Sequence, residues 1–367
     1  MEGGLYYAPK YGCSATLDIW DKFHNFLDAP GGLFYNLWSV QKKLKVVNKV
    51  NIMVNELVQQ GMTAVERKLE SVVASDIQLL EDASLHIVTS GGKRVRPRVV
   101  LLAYLAAGGQ DLDSVVPVAA AVEMVHTATL VHDDINDHSL TRRGKVTVHA
   151  RWGRTFALLT GDYLFTKVYE LMAPYGVEPN VMIATACTRL VEGETLQAAA
   201  AKSGDMDRET YKQIISLKTA SLFEASAMLG AWLAGANESV IQALGDYAYN
   251  LGLTFQIVDD ILDIIGDPEA MGKPVGLDLT QGRGVLSVAQ NGGKNEEDGL
   301  TAVAELEEPD PIQQMMAGLR ASGAVEIAKI QAQETAVRAR KALEFVPDTP
   351  ARDELFGLIE GVLNRDH

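Results

Sequence analysis

The sequence predicts an all-α protein. Three observations carry this: apolar residues recur at spacings of three and four along most of the chain, long stretches are rich in Ala, Leu, Met and Glu, and alternating β-branched runs bounded by tight turns are almost absent. Of the 367 residues, 47% are apolar and 22% charged, a balance that suits a packed core and excludes a disordered chain. The formal net charge is −15, the wrong sign for a partner that must neutralise phosphates along nucleic acid. Cys13 and Cys187 are the only cysteines, too few for a disulfide framework, so a cytoplasmic location is expected.

The elements follow in order. Residues 1–45 read as an aromatic-rich N-terminal extension: Tyr6, Tyr7, Tyr11, Trp20, Phe23, Phe26, Phe34, Tyr35 and Trp38 crowd into it. A packed arm is the favoured reading and a membrane-surface segment the alternative. Residues 46–367 read as one helical domain. Val54, Leu57, Val58, Met62, Val65, Leu69, Val72 and Val73 form the stripe of a core-facing helix. Helical composition continues through residues 117–128, 190–201 and 221–236. Loop signals at Ser90-Gly91-Gly92, Gly108-Gly109, Ala173-Pro174-Tyr175-Gly176, Gly204-Asp205 and Asp267-Pro268 divide the chain into helices of ordinary length. The polar, acidic stretch 291–311 reads as a surface excursion, with helices resuming at Ile312. The best apolar run, residues 225–236, falls short of the roughly 18–20 residues a membrane span needs, so none is expected.

Two segments carry the chemistry: Asp133-Asp134-x-x-Asp137 and Asp259-Asp260-x-x-Asp263, each at the end of an apolar helix. Residues i and i+4 lie about 6 Å apart on one helix face, so each motif sets carboxylates side by side. Like charges that close favour a cation between them, and a hard divalent ion such as Mg²⁺ takes oxygen ligands from one or two carboxylates together with substrate phosphates. A solvated acidic helix end is the bland explanation for one such cluster. Two clusters emerging from apolar stripes favour a metal site.

The cations come in placed groups too. Gly91-Gly92-Lys93-Arg94-Val95-Arg96-Pro97 joins a flexible loop to a helix start, where backbone N–H groups, Lys93 and Arg96 can converge on a diphosphate. Arg142-Arg143-Gly144 follows the first Asp cluster closely enough for arginine to hold a phosphate whose other oxygens coordinate the metal. Lys218-Thr219 and Lys273 are weaker signals, and taken singly read as solvated lysines.

Taken together, Gly91-Gly92-Lys93-x-x-Arg96-Pro97, His126, Asp133-Asp134-x-x-Asp137, Arg142-Arg143-Gly144, Gly161-Asp162, Lys218-Thr219-Ala220, Phe255-Gln256-x-x-Asp259-Asp260-x-x-Asp263, Gly272-Lys273-Pro274-x-Gly276-x-Asp278 and Asn364-Arg365-Asp366 resemble the trans (E-type) polyprenyl diphosphate synthases, particularly bacterial long-chain members. The resemblance implies an isoprenoid-synthase-type helical bundle around a deep central cavity, usually a homodimer. It implies three Mg²⁺ ions with substrate bound, two on Asp133 and Asp137 and one on Asp259, with Asp134, Asp260 and Lys218 in the catalytic set. Arg142, Lys218, Thr219, Gln256 and Lys273 would support an allylic diphosphate. Lys93, Arg96, His126 and Arg143 would hold isopentenyl diphosphate. Arg283 stands where the family usually has lysine, and would act on substrate with altered geometry. Peripheral membrane contact would serve product release. Ala128 and Thr129, one turn before the first cluster, would leave the product tunnel open where short-chain members place aromatics. That favours a product of six or more isoprene units over geranylgeranyl or geranylfarnesyl diphosphate, and predicts that Ala128→Phe plugs the tunnel. A class I terpene cyclase and a non-catalytic subunit of a heteromeric synthase are less favoured, because both Asp clusters are complete.

Overall fold

A computed structural model describes residues 33–204, 206–265 and 323–365, with side chains described from residue 52. The chain divides into two compact units, residues 1–56 and 57–367. Lys273, Arg283, residues 1–32 of the aromatic extension, the acidic stretch 291–311 and the helix start at Ile312 lie outside the described residues.

The described elements are α1 (Leu33–Val72), α2 (Gln78–Val88), α3 (Val95–Ala106), α4 (Leu112–Asn136), a hairpin of β1 (Thr141–Arg142) and β2 (Lys145–Val146), α5 (Val148–Trp152), α6 (Arg154–Met172), α7 (Val177–Ser203), α8 (Arg208–Ile215), a π-helical turn (Ser216–Ala220), α9 (Ser221–Leu233), α10 (Glu238–Ile265), α11 (Ala324–Leu343) and α12 (Pro350–Leu363). The Gly91, Gly108 and Gly204 loops fall between helices, as their punctuation predicts. The hairpin is the exception to the all-helical reading. It turns at Arg143 and Gly144, with φ of 51° and 72°, the left-handed pair that a tight two-residue turn requires.

Helix α4 is the centre of the bundle. Asp111 caps it by accepting the Asp113 N–H at 3.1 Å. Its residues are buried on nearly every face, from Val115 through Val125 to Val131 and Ile135. It is also the one helix among the described residues long and apolar enough to cross a membrane, yet 72% of its apolar window is buried, which marks it as a core helix. Around it, α6 and α3 pack on α4, α9 on α3, α10 on α9 and α11 on α10. The Asp-rich ends of α4 and α10 therefore reach the same end of one core.

The C-terminal helix α12 starts on Thr349, whose hydroxyl accepts the Arg352 N–H, with Pro350 at its first position. It is pinned to α10 by the fully buried Tyr247, whose O–H donates to the Leu355 carbonyl at 2.9 Å. Burial pushes the Tyr247 phenol far above its ordinary value. Tyr247→Phe leaves that carbonyl without its donor and should lower unfolding free energy by about 1–2 kcal/mol in urea titration. An unchanged midpoint would mean the phenol does not anchor α12.

Candidate active site

One cavity of about 540 Å³ opens between these helices. Its wall brings together thirteen residues singled out from the sequence: Lys93, Arg96, His126, Thr129, Asp133, Asp137, Arg142, Arg143, Lys218, Thr219, Gln256, Asp259 and Asp260. Leu130, Leu190, Leu222 and Ile214 supply apolar surface between the polar groups.

The acidic side is built by helix ends. Asp133 stands in the last turn of α4, and Asp137 caps that helix, donating its N–H to the Asp133 carbonyl at 2.8 Å. Burial pushes the Asp133 carboxyl up to about 6 against the opposing pull of Lys218, and the nearby Glu194 and Asp137 carboxylates add to the rise. Across the cavity, Asp259 lies 3.4 Å from the Arg365 guanidinium. Among the described residues no three His, Cys, Asp or Glu side chains form a ready-made metal cage. Carboxylates spread over two helices suit a hard ion such as Mg²⁺, which draws its remaining ligands from water and substrate phosphate. Asp133, Asp137 and Asp259 line the wall where such an ion could be held.

Three motif aspartates take other positions. Asp134, expected in the catalytic set, is buried and absent from the cavity wall. Its carboxylate accepts the Arg142 Nε–H at 2.7 Å, because it lies a third of a turn round α4 from Asp133 and faces the hairpin. Asp260 reaches the cavity but accepts the Tyr211 O–H at 2.7 Å and the Gln256 amide N–H at 2.9 Å, so it serves as an anchor. Asp263 is 1% exposed and does not join Asp259 on the wall. Ala128 is fully buried in the apolar core, and of the two chain-length positions only Thr129 lines the cavity. Phe at position 128 would overpack the core before it plugged any tunnel.

The cationic side is assembled from four elements. Lys93 ends the loop before α3, and burial followed by the Arg365 charge lowers its pKa. Burial lowers Arg96 to about 10, and its guanidinium stacks 4.6 Å over Phe223. Burial, then the surrounding arginines, hold His126 well below its ordinary value, so it is neutral. Lys218 sits in the π-helical turn, paired with Glu194 and donating to Gln197 at 2.7 Å. A Cβ on Gly193 would lie 2.5 Å from the Lys218 backbone nitrogen, so only glycine on α7 lets this turn approach. Thr219 donates to Gln256 at 2.8 Å, completing a chain to Asp260 and Tyr211.

Several of these residues escaped the sequence reading. Glu194 and Gln197 share one face of α7 at i, i+3 spacing, which is the only local signal they offer. Tyr211 and Phe223 give none. Arg365 belongs to a C-terminal motif noted for its resemblance but given no role. It stacks 4.6 Å over Phe255, which lies 5.6 Å from Phe223, so two arginines bracket an aromatic pair. Among the described residues, the Arg96 Nε and the Arg365 Nε and Nη1 atoms are buried without an acceptor. Buried guanidinium donors without acceptors call for an anion.

A family model described as polyprenyl synthetase matches residues 77–316. The chain is 36% identical over 318 residues to octaprenyl diphosphate synthase of Escherichia coli, covering 85% of this chain and 98% of that one. It is 35% identical over 310 residues to a short chain isoprenyl diphosphate synthase of Methanothermobacter thermautotrophicus, covering 82% and 95%. The crystal structure of a polyprenyl synthase from Caulobacter crescentus, complexed with calcium and isoprenyl diphosphate, superposes with a TM-score of 0.77 at 32% identity, covering 86% of this chain and 98% of that one. The chain belongs to the polyprenyl synthetase family.

The Asp133 environment yields a test without substrate. A carboxyl that ionises near 4 when unfolded and near 6 when folded costs stability once pH passes through that window. The cost persists above it. Asp133→Asn should therefore stabilise the metal-free protein by about 1–3 kcal/mol at pH 7.5 in thermal unfolding, with the difference vanishing near pH 4. A destabilised variant at pH 7.5 would show that Asp133 is compensated without a metal.

Proposed function

We propose that the protein is a Mg²⁺-dependent trans-prenyltransferase that joins an allylic diphosphate to isopentenyl diphosphate, and that its product is long. The observation that supports it best is one cavity with separated carboxylates on two helix ends and buried arginine donors lacking acceptors between them. One diphosphate can lie against Asp133, Asp137 and Asp259 with Lys218, Gln256, Thr219 and Arg142. A second can lie against Lys93, Arg96, Arg143 and His126. Lys273 and Arg283 remain candidates for the first group.

Mg²⁺ held by the three carboxylates would neutralise a departing diphosphate and so favour cleavage of the allylic C–O bond. Lys218 and Arg142 add fixed charge to the oxygens on which negative charge develops, and the Asp134 and Glu194 pairings hold them in place. The second set of cations holds the isopentenyl double bond against the allylic carbon, where positioning supplies much of the rate. The new C–C bond leaves a cation that loses a proton to the displaced diphosphate. Neutral His126 and the apolar wall keep water from that cation.

Thr129 supports a long product, because α4 contributes no Phe, Tyr or Trp to the described wall beside the first cluster; Tyr211 and Phe255 are its Phe and Tyr residues. Geranylgeranyl or geranylfarnesyl diphosphate is the alternative, since similar relatives carry both octaprenyl and short-chain names. We further propose a cytoplasmic homodimer that touches the membrane peripherally to release product. The exposed Phe156, Leu159 and Tyr169 on α6 and Val177 and Val181 on α7 support a self-contact.

Purified protein with Mg²⁺ and both diphosphates should elongate the allylic substrate. Asp133→Ala and Asp259→Ala should each lower turnover at least a thousandfold with helical circular dichroism retained, whereas near wild-type turnover in either would overturn the metal assignment. Chromatography of dephosphorylated products should show six or more isoprene units. A dominant product of four or fewer would refute the open tunnel.

A further inference from the structure

Part of the cationic side of the cavity is carried by two short segments outside the helices. One is the loop from Thr89 to Arg94, whose Gly91, Gly92 and Arg94 all have positive φ. The other is the β1–β2 hairpin bearing Arg142 and Arg143. Such segments have little structure of their own, and their position depends on what ties them.

The ties run between the two segments and to α2 beneath them. Lys145 Nζ donates to the Thr89 carbonyl at 3.0 Å, and Arg143 Nη1 donates to the Gly91 carbonyl. From α2, the His86 imidazole approaches the Val146 carbonyl of β2 with Nε2 at 2.7 Å. That carbonyl can only accept, so the His86 proton sits on Nε2. Nδ1 is then an acceptor and takes the Arg151 Nη1–H at 3.3 Å. The ring is fixed from a third side by Trp152, edge-on at 5.2 Å, over which the Arg151 guanidinium lies at 4.4 Å. Neither His86 nor Lys145 lines the cavity.

We propose that His86 and Lys145 are positioning residues that lock the hairpin to the Thr89–Arg94 loop, so that Lys93, Arg96 and Arg143 form one rigid cationic cradle for the homoallylic diphosphate. The assignment of that diphosphate rests on the function proposed above; the lock itself does not. A role confined to general stability would lower the melting temperature and affect both substrates alike. A positioning role acts on one substrate.

The test uses the full chain with His86→Ala, His86→Gln and Lys145→Ala. In hydrogen exchange of the substrate-free protein, peptides covering residues 89–94 and 141–147 should exchange faster in His86→Ala and Lys145→Ala, and α9 and α10 should not change. In steady state, KM for isopentenyl diphosphate should rise roughly fivefold to tenfold in both, as expected for loss of one good hydrogen bond. KM for the allylic substrate and kcat should stay within about twofold, because Arg142, the hairpin residue placed against the allylic diphosphate, is held separately by Asp134 of α4. His86→Gln, which still offers an N–H at the position of Nε2, should recover most of the loss. Unchanged exchange in the loop and hairpin, or equal rises in both KM values, would overturn the proposal. A wild-type protein that fails to elongate would instead overturn the proposed function, with exchange still deciding whether the lock exists.

Discussion

The buried Arg94 side chain ties together three helices that meet at the head of α3. At the head of α3 it adopts a left-handed backbone, φ 46°, and its guanidinium reaches three other elements. It donates to Glu66 on α1 at 2.7 Å, to Glu123 on α4 at 2.8 Å and to the Val88 carbonyl at the end of α2 at 2.5 Å. Glu123 is 2% exposed in the middle of an otherwise apolar helix. Arg94 meets that charge, so removing Arg94 would leave Glu123 buried without its ion-pair partner, whereas Arg94 without Glu123 would keep Glu66. The carboxylates hold Arg94 above its usual range despite burial. The turn at residue 94 is thereby held from three elements, and Lys93, just before it, and Arg96, two residues after it, line the cavity.

Burial acts on both signs of charge in the cavity. Arg96, Arg143 and Lys93 are all lowered chiefly by burial, while Asp133 is raised by it. Within Arg94–Glu123 the opposite charges touch, and in the cavity Asp259 lies 3.4 Å from Arg365. On the proposed function, a diphosphate with divalent cations would meet the remaining buried charge of both signs, so that an arrangement that costs stability alone would provide binding with ligand. The hydrogen-bonded pairings behind the wall, Asp134 to Arg142 and Glu194 to Lys218, hold the charged groups apart.

Much of this was legible in the sequence. The helices were, because Ala- and Leu-rich segments with three-and-four spacing have few other ways to bury their apolar face. So were the loops, because Gly91, Gly108 and Gly204 mark positions where the backbone turns left-handed. The charged groups could be grouped by spacing, since Asp clusters and Lys-Arg runs are local. The hairpin was not legible: two residues per strand are too short for any alternation to show. Nor was the π-helical turn at Lys218, which depends on Gly193 of another helix. Arg94 lies within a run read as phosphate-binding, but its acidic partners sit 28 and 29 residues away and only the packed fold introduces them.

The two Asp-Asp-x-x-Asp motifs show where local reasoning reaches its limit. Spacing alone treats them as equivalent, with first and fifth residues on one face. The fold separates them by where each helix stops. Helix α4 ends at Asn136, so Asp137 is its cap, and the chain turns away there and leaves its carboxylate on the cavity wall. Helix α10 runs on to Ile265, so Asp263 stays within the helix and is buried. The second residue accepts hydrogen bonds from neighbouring side chains in both motifs: Asp134, off the cavity wall, from Arg142, and Asp260, on the wall, from Tyr211 and Gln256. The first residue of each motif, Asp133 or Asp259, lines the cavity, while the second fixes side chains that surround it. A paired Asp-Asp thus sets two carboxylates about a third of a turn apart, one facing the cavity and one holding its wall in place.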